Sequence, residues 1–296
     1  MTGVFHFMAI SLGLIVTRSR LGPPPSAVNQ ESRQQNLLPV MFGFRLLVAC
    51  LFLGPLLQHA RAAESVDARF AVLVFSKTTG YRHDSIPVGI TTIRGLGAEY
   101  GFAVDDTEDA GHFNDTALAH YKAVVFLNTT GDILDPGQKD AFERYIRSGG
   151  GFVGIHSASD TEYQWPWYGR LVGAWFASHP TIQRATVRIE DPGHPSTKLL
   201  PLKWQRTDEW YNFRANPRNA VHVLAALDES SYTGGMMGSD HPIAWCQAIG
   251  GGRAWYTAMG HTSESYTEPL FRLHLAGGIE SVTNPTAGCQ APEKER

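Results

Sequence analysis

Three histidines fall where a strand is expected to end or in the loop that leaves it. His83 lies in Gly80-Tyr-Arg-His-Asp-Ser85, His156 directly follows Phe152-Val-Gly-Ile155, and His261 comes after a strand expected to end near Ala258. A fourth, His179 in Ala177-Ser-His-Pro180, sits on a loop after a tryptophan-rich segment. Imidazole exchanges a proton near neutral pH and is also a common metal ligand. In open α/β sheets ligands bind beyond the carboxyl ends of the strands. Each histidine taken singly is well explained as a packed ring, whereas four on one end of a sheet read as a cleft. His156 and His83 are the candidates for proton transfer. His83, His156 and His179, with Asp160 as a carboxylate, form a candidate ligand set for Zn²⁺ or another divalent ion. Neither a CxxC pair nor two histidines at i, i+4 reinforces the metal reading.

The stretch Gly150 to Asp160 is the most informative. Gly154-Ile-His156-Ser-Ala158 has the Gly-x-X-x-small pattern of a strand-to-helix elbow, a turn that pushes one side chain into the cleft. That side chain is a histidine here, so acyl transfer from a Ser or Cys nucleophile is excluded at this position. Asp160 lies four residues on, on the same face if the segment is helical, and is a candidate to orient the imidazole. Asp208-Glu-Trp-Tyr-Asn212 sets carboxylates among aromatics, which makes Glu209 or Asp208 a candidate acid or base, or else is a solvated turn. Trp165 and Trp167, in Trp165-Pro-Trp-Tyr168, offer flat faces for stacking on sugar C–H surfaces, or else simply pack over the sheet. Tyr81, Arg82 and His261 are the remaining candidate substrate contacts.

These residues need a scaffold that brings strand ends together. Phe70–Phe75, Phe102–Val104, Ala123–Leu127 and Phe152–Ile155 read as strands, the longer ones continuous apolar runs as expected when both faces are covered. Helices are expected over 87–100, 117–121 and from Pro136 to Arg147, the last opened by an Asp135 N-cap with proline behind it. Alternating strands and helices imply an open, mostly parallel α/β sheet. Beyond Gly173 strands are expected over 187–190, 206–213, 221–227, 243–248 and 254–258, as additional C-terminal strands that extend the sheet or form an appendage, followed by a helix over 268–277.

The first fifth of the chain follows other rules. Residues 1–40 are expected to be an upstream extension outside the folded domain. Arg45, the apolar run Leu46–Leu57 and Ala60-Arg-Ala62 follow the order of a secretory signal over 41–62. That run is too short to span a bilayer, which takes roughly 20 residues. Only four residues separate Arg45 from Cys50, which argues against a lipoprotein signal. The mature chain is then expected to begin at Ala63, exported, with a domain over 63–283 and a frayed polar tail over 284–296. Residues 63–296 carry 20 basic and 27 acidic side chains, a net charge of −7. Without a clustered basic face, nucleic acid is excluded as the expected partner. Cys246 and Cys289 remain after cleavage; the apolar surroundings of Cys246 favour a buried free thiol over a pair.

The Arg82-His-Asp-Ser85 loop, the Gly149-Gly-Gly-Phe-Val-Gly-Ile-His156 turn, Ser178-His-Pro180 and Gly260-His261 together resemble the ThuA-like domain over about 69–279. The resemblance implies a three-layer, flavodoxin-like fold of the class I glutamine amidotransferase-like type. It also implies a small-molecule carbohydrate partner, in disaccharide or 3-keto-glycoside catabolism. It does not imply glutamine hydrolysis, since His156 stands where the amidotransferase cysteine would. Three readings follow: a carbohydrate-active hydrolase, lyase or isomerase using His156 and His83; a metal-dependent version of it; and a non-catalytic periplasmic sugar-binding module.

Overall fold

The computed structural model describes residues 68–289, so the upstream extension, the signal segment and the mature start at Ala63 lie outside the described residues. A nine-stranded mixed sheet forms the middle layer. Its first half is parallel: β1 (Ala71–Phe75), β2 (Ala103–Thr107), β3 (Ala123–Leu127) and β4 (Gly151–Ile155). Strands β1, β3 and β4 are almost wholly buried, as their unbroken apolar sequences require. A further small pair is formed by β5 (Phe176–Ser178) and β8 (Asn212–Phe213). The main sheet continues through β6 (Gln183–Ile189), β7 (Lys203–Asp208), β9 (His222–Asp228), β10 (Pro242–Ile249) and β11 (Gly252–Thr257). The strand order is β2-β1-β3-β4-β11-β10-β9-β6-β7, with β11 parallel to β4 and every later pairing antiparallel. The later strands thus extend the sheet, and the expected open α/β architecture with additional C-terminal strands is the one that forms.

Helices cover both faces. On one, α1 (Ile86–Tyr100) packs with α5 (Ser263–Thr267) and α6 (Pro269–Thr283). On the other, α2 (Asp115–Leu118) packs on α3 (Pro136–Arg147), and α4 (Pro166–Val172) lies beyond them. The Asp135 cap is a full capping box: its carboxylate accepts from the Gln138 amide, and the Gln138 side chain accepts from the Asp135 amide. Adjacent aromatics on β11 serve the two layers in turn. Trp255 meets His274 of α6, and Tyr256 stacks on Trp245 with Phe213 beside it.

Four local expectations are corrected. The run 206–213 is not one strand: after Asp208 the residues Glu209, Trp210 and Tyr211 are all buried, which breaks the in-out alternation and turns the chain from β7 into β8. Residues 156–160 form a 3₁₀ turn rather than an α-helix, so Asp160 is not stacked over His156. The last helix runs on to Thr283. Cys246 is not a free thiol; it is disulfide-bonded to Cys289 across 43 residues of chain, which holds the start of the expected tail against β10.

Candidate functional site

The elbow is real in its backbone. His156 has φ +50°, a left-handed conformation rarely taken by a residue with a side chain. Gly154 makes the turn fit, because a Cβ there would sit 2.9 Å from the Tyr256 ring and 3.1 Å from Phe152. Its neighbour at the end of β3, Asn128, shares the strained conformation at φ +51°, and its amide donates to Ser85, the residue preceding α1. Such outliers persist where the surroundings fix them, commonly at binding sites.

Three imidazoles and a carboxylate meet above these strand ends. One donor atom each from His83, His156, Glu209 and His261 lies within 4.8 Å of the others. The Nδ1 of His156 is 2.7 Å from the carbonyl oxygen of Ala258 and must donate to it. When the ring is neutral, its Nε2 is therefore a lone pair, aimed at His261 Nδ1 at 3.2 Å and Glu209 Oε2 at 3.5 Å. His261 Nδ1 and Glu209 Oε2 are 3.1 Å apart. Three acceptor-capable atoms thus face one another, and a proton or a cation has to lie among them. A tetrahedral ion with bonds of about 2.0–2.1 Å separates its ligand atoms by roughly 3.3 Å, and the observed 3.1–3.5 Å brackets that edge.

The second layer is equally specific. Asp208, the last residue of β7, accepts from the backbone N–H groups of Gly260 at 2.8 Å and His261 at 3.1 Å, and is paired with the buried Arg206. Consecutive carboxylates therefore divide the work, Asp208 holding the loop of His261 and Glu209 meeting its ring. Tyr211 lies against His156 with ring centroids 4.1 Å apart. His179 Nδ1 contacts the other Glu209 oxygen at 2.9 Å and also its neighbouring carbonyl, that of Pro180, so this nitrogen carries the proton and braces the carboxylate.

Charge follows from these contacts. Burial alone would raise the Glu209 carboxyl, but the neighbouring His156 and His261 imidazoles outweigh it and hold Glu209 below the usual carboxylate range. Burial, with repulsion from His156 and His261, lowers His83 to about 2, so its ring is neutral at physiological pH. Burial would also lower His261, yet the hydrogen bond and charge of Glu209 raise it.

Placement of the sequence candidates is mixed. His83, His156, His261 and Glu209 are brought together; His179 reaches the group only through Glu209 and stands outside the four converging donors among the described residues. Tyr81 is 63 % exposed and stands edge-on to His83 at 4.8 Å, at the rim. Arg82 pairs on the surface with Glu108. The Asp160 carboxylate accepts from Tyr163 rather than from His156, whose free N–H is already taken by Ala258. Trp165 stacks on Tyr168 and lies tilted against Trp167, which meets Phe142 edge-on, in the aromatic layer between α3 and α4. Tyr211, Arg206 and the Ala258 carbonyl were not singled out by sequence; of these only Tyr211 lay inside a noted motif.

The fold and the cluster define an open α/β protein with a histidine–carboxylate centre at the strand ends and no elbow nucleophile. The chain belongs to the ThuA family, described as trehalose utilisation, whose pattern matches residues 71–281. It is similar to a putative ThuA-like protein from Bacteroides uniformis, at 27 % identity with a TM-score of 0.62, over 72 % of this chain and 91 % of that one. A putative ThuA-like protein from Parabacteroides merdae shares the fold at 21 % identity and the same TM-score of 0.62, over 76 % and 93 % of the two chains. Among proteins of curated function, none matches the chain significantly.

Proposed function

We propose that this chain is an exported, carbohydrate-acting enzyme whose His83, His156, His261 and Glu209 hold a divalent ion of the Zn²⁺ type. The observation that carries the reading is the convergence of His156 Nε2, His261 Nδ1 and Glu209 Oε2 at mutual distances of 3.1–3.5 Å. A bound ion would polarise a sugar hydroxyl or carbonyl oxygen. The residues of this chain do the rest. The Ala258 carbonyl fixes the His156 tautomer, His179 and His261 orient the two oxygens of Glu209, and the exposed ring of Tyr81 offers a sugar-stacking face at the rim. Family membership supports a disaccharide or 3-keto-glycoside as the substrate class. The charge–apolar–small order of residues 41–62 supports export, and no described helix is long and apolar enough to cross a membrane.

The test is elemental analysis of untagged protein together with turnover of trehalose, 3-keto-trehalose and 3-keto-glucosides, before and after chelation. His156→Asn is the informative variant, because asparagine tolerates the left-handed backbone but removes the inward nitrogen. The expected result is stoichiometric metal and turnover in the native chain, with both lost in a folded variant. Metal-free protein whose turnover survives His156→Asn would overturn the proposal. Sugar binding with no turnover in the native chain would make it a binding module instead.

A further inference from the structure

The Cys246–Cys289 bond lies apart from the histidine–carboxylate centre. Cys246 pairs across the sheet with His222, the first residue of β9, whereas the centre lies beyond the carboxyl ends of β4 and β11. Both cysteines line a cavity of about 560 Å³, together with His194, Arg218 and His222. That volume is within the range of about 300–1,000 Å³ usual for small-molecule sites. The two cysteines do not meet it equally: Cys289 keeps 8 % of its surface exposed and Cys246 only 1 %.

One side chain is aimed at the more enclosed sulfur. His194 Nδ1 accepts from the backbone N–H of Ser196 at 3.2 Å and has the Ser196 hydroxyl at 2.9 Å. That hydroxyl accepts from the Trp255 indole N–H at 3.1 Å, which leaves its own proton for the imidazole. Burial lowers His194 to about 4, so the ring is neutral at physiological pH and its one proton sits on Nε2. Nε2 lies 3.6 Å from Cys246 Sγ. A disulfide sulfur is a weak acceptor and gains little from an N–H there, whereas a thiolate at the same place is stabilised by it.

We propose that this bond is a thiol–disulfide exchange site for small thiols entering through the cavity, with Cys246 as the leaving group and His194 as its hydrogen-bond donor. A thiolate RS⁻ attacks Cys289 Sγ and forms a mixed disulfide. The S–S electron pair goes to Cys246, which departs as a thiolate facing the His194 N–H. A second RS⁻ attacks the RS sulfur of the mixed disulfide, releases the Cys289 thiolate and leaves as RSSR. The two protein thiolates take up the protons that two RSH molecules lost, so two electrons pass to the protein. Exchange depends on access, on which sulfur is attacked and on the leaving thiolate, and the cavity, the unequal exposure and His194 set these in turn. Opening the bond leaves the segment after α6 held to β10 by packing alone.

The experiment uses the full chain carrying Cys50→Ser, so that only these two cysteines remain. Folded protein is pulsed with glutathione, quenched with acid, alkylated and mapped by peptide mass spectrometry. Glutathione should be found on Cys289 first, and both thiols should then appear with the far-ultraviolet circular dichroism unchanged. His194→Ala should slow the reaction at least about tenfold, and His194→Gln, which offers an N–H in the same direction, should recover part of the rate. A variant that merely loosened the fold would expose the bond and react faster, so slowing is not a sign of damage. A first adduct on Cys246 rather than Cys289, a rate in His194→Ala equal to or above that of the native chain, no recovery in His194→Gln, or reduction only as fast as global unfolding would each overturn the proposal.

Discussion

His156 Nε2 and Glu209 Oε2 face each other at 3.5 Å, one a lone pair fixed by the Ala258 carbonyl behind the ring, the other half of a carboxylate held ionised. Glu209→Gln keeps the shape of that side chain but removes its charge and gives it N–H groups that repel a cation. Metal affinity, measured by chelator competition, is expected to fall at least about 100-fold, beyond the 10–100-fold typical of losing an outer partner. The melting temperature should change little. Unchanged affinity would remove Glu209 from the ligand set.

Asp208→Asn tests the support rather than the centre. The carboxylate accepts from Gly260, His261 and Ser265 and is paired with buried Arg206. Breaking a buried ion pair costs roughly 3–5 kcal/mol, and the lower end applies because Glu268 still reaches Arg206 at 3.4 Å. Denaturant unfolding should show that loss together with weaker metal binding. A destabilised variant with native affinity would mean that His261 is placed by other contacts.

How much of this was written in the sequence depends on the distance over which each feature is decided. Strand ends and the elbow are local, so His83, His156 and His261 were legible from their positions after apolar runs. Choosing between His179 and Glu209 as the neighbour of those rings was not, because it turns on the break between β7 and β8, where three consecutive residues are buried against separate parts of the fold. The same limit applies to Trp165 and Trp167, whose aromatic character suits stacking on a sugar as well as packing on Phe142, and only the position of α3 decides. The Cys246–Cys289 bond spans β11, α5 and α6, and neither cysteine carries a local mark of its partner.

Acid should destabilise the domain through histidines buried neutral. His274 is fully enclosed, with Nδ1 at 2.9 Å from the Ser196 carbonyl and Nε2 at 3.2 Å from Thr257 Oγ1. Burial, ahead of the opposing Ser196 hydrogen bond, lowers it to about 3. Its unfolded value is near 6.5, so between these limits the unfolded chain binds the extra proton and stability rises with pH. The loss on acidification is about 1.4 kcal/mol per pH unit for one such group. His274→Gln should flatten the pH dependence of unfolding free energy between pH 6.5 and 4 by about one proton; an unaltered slope would contradict the assignment.

Closing 43 residues of chain, the Cys246–Cys289 bond restricts the unfolded state. Cys289→Ser in the absence of metal should therefore cost about 2–4 kcal/mol in denaturant unfolding. A change below about 1 kcal/mol would show that packing against β10, not the covalent link, holds this end of the chain.

Strand β7 is the last of its sheet, bonded to β6 alone, and its final residue is Asp208. Border strands are the first to fray, and this one ends on Asp208, with Glu209 directly after it, the two acids on which the centre depends. Loss of a few hydrogen bonds at that border would slacken the His261 loop and withdraw the Glu209 charge in a single movement. The centre is thus tethered to an edge of the sheet, so faster hydrogen exchange along β7 should go with a weaker hold on an ion.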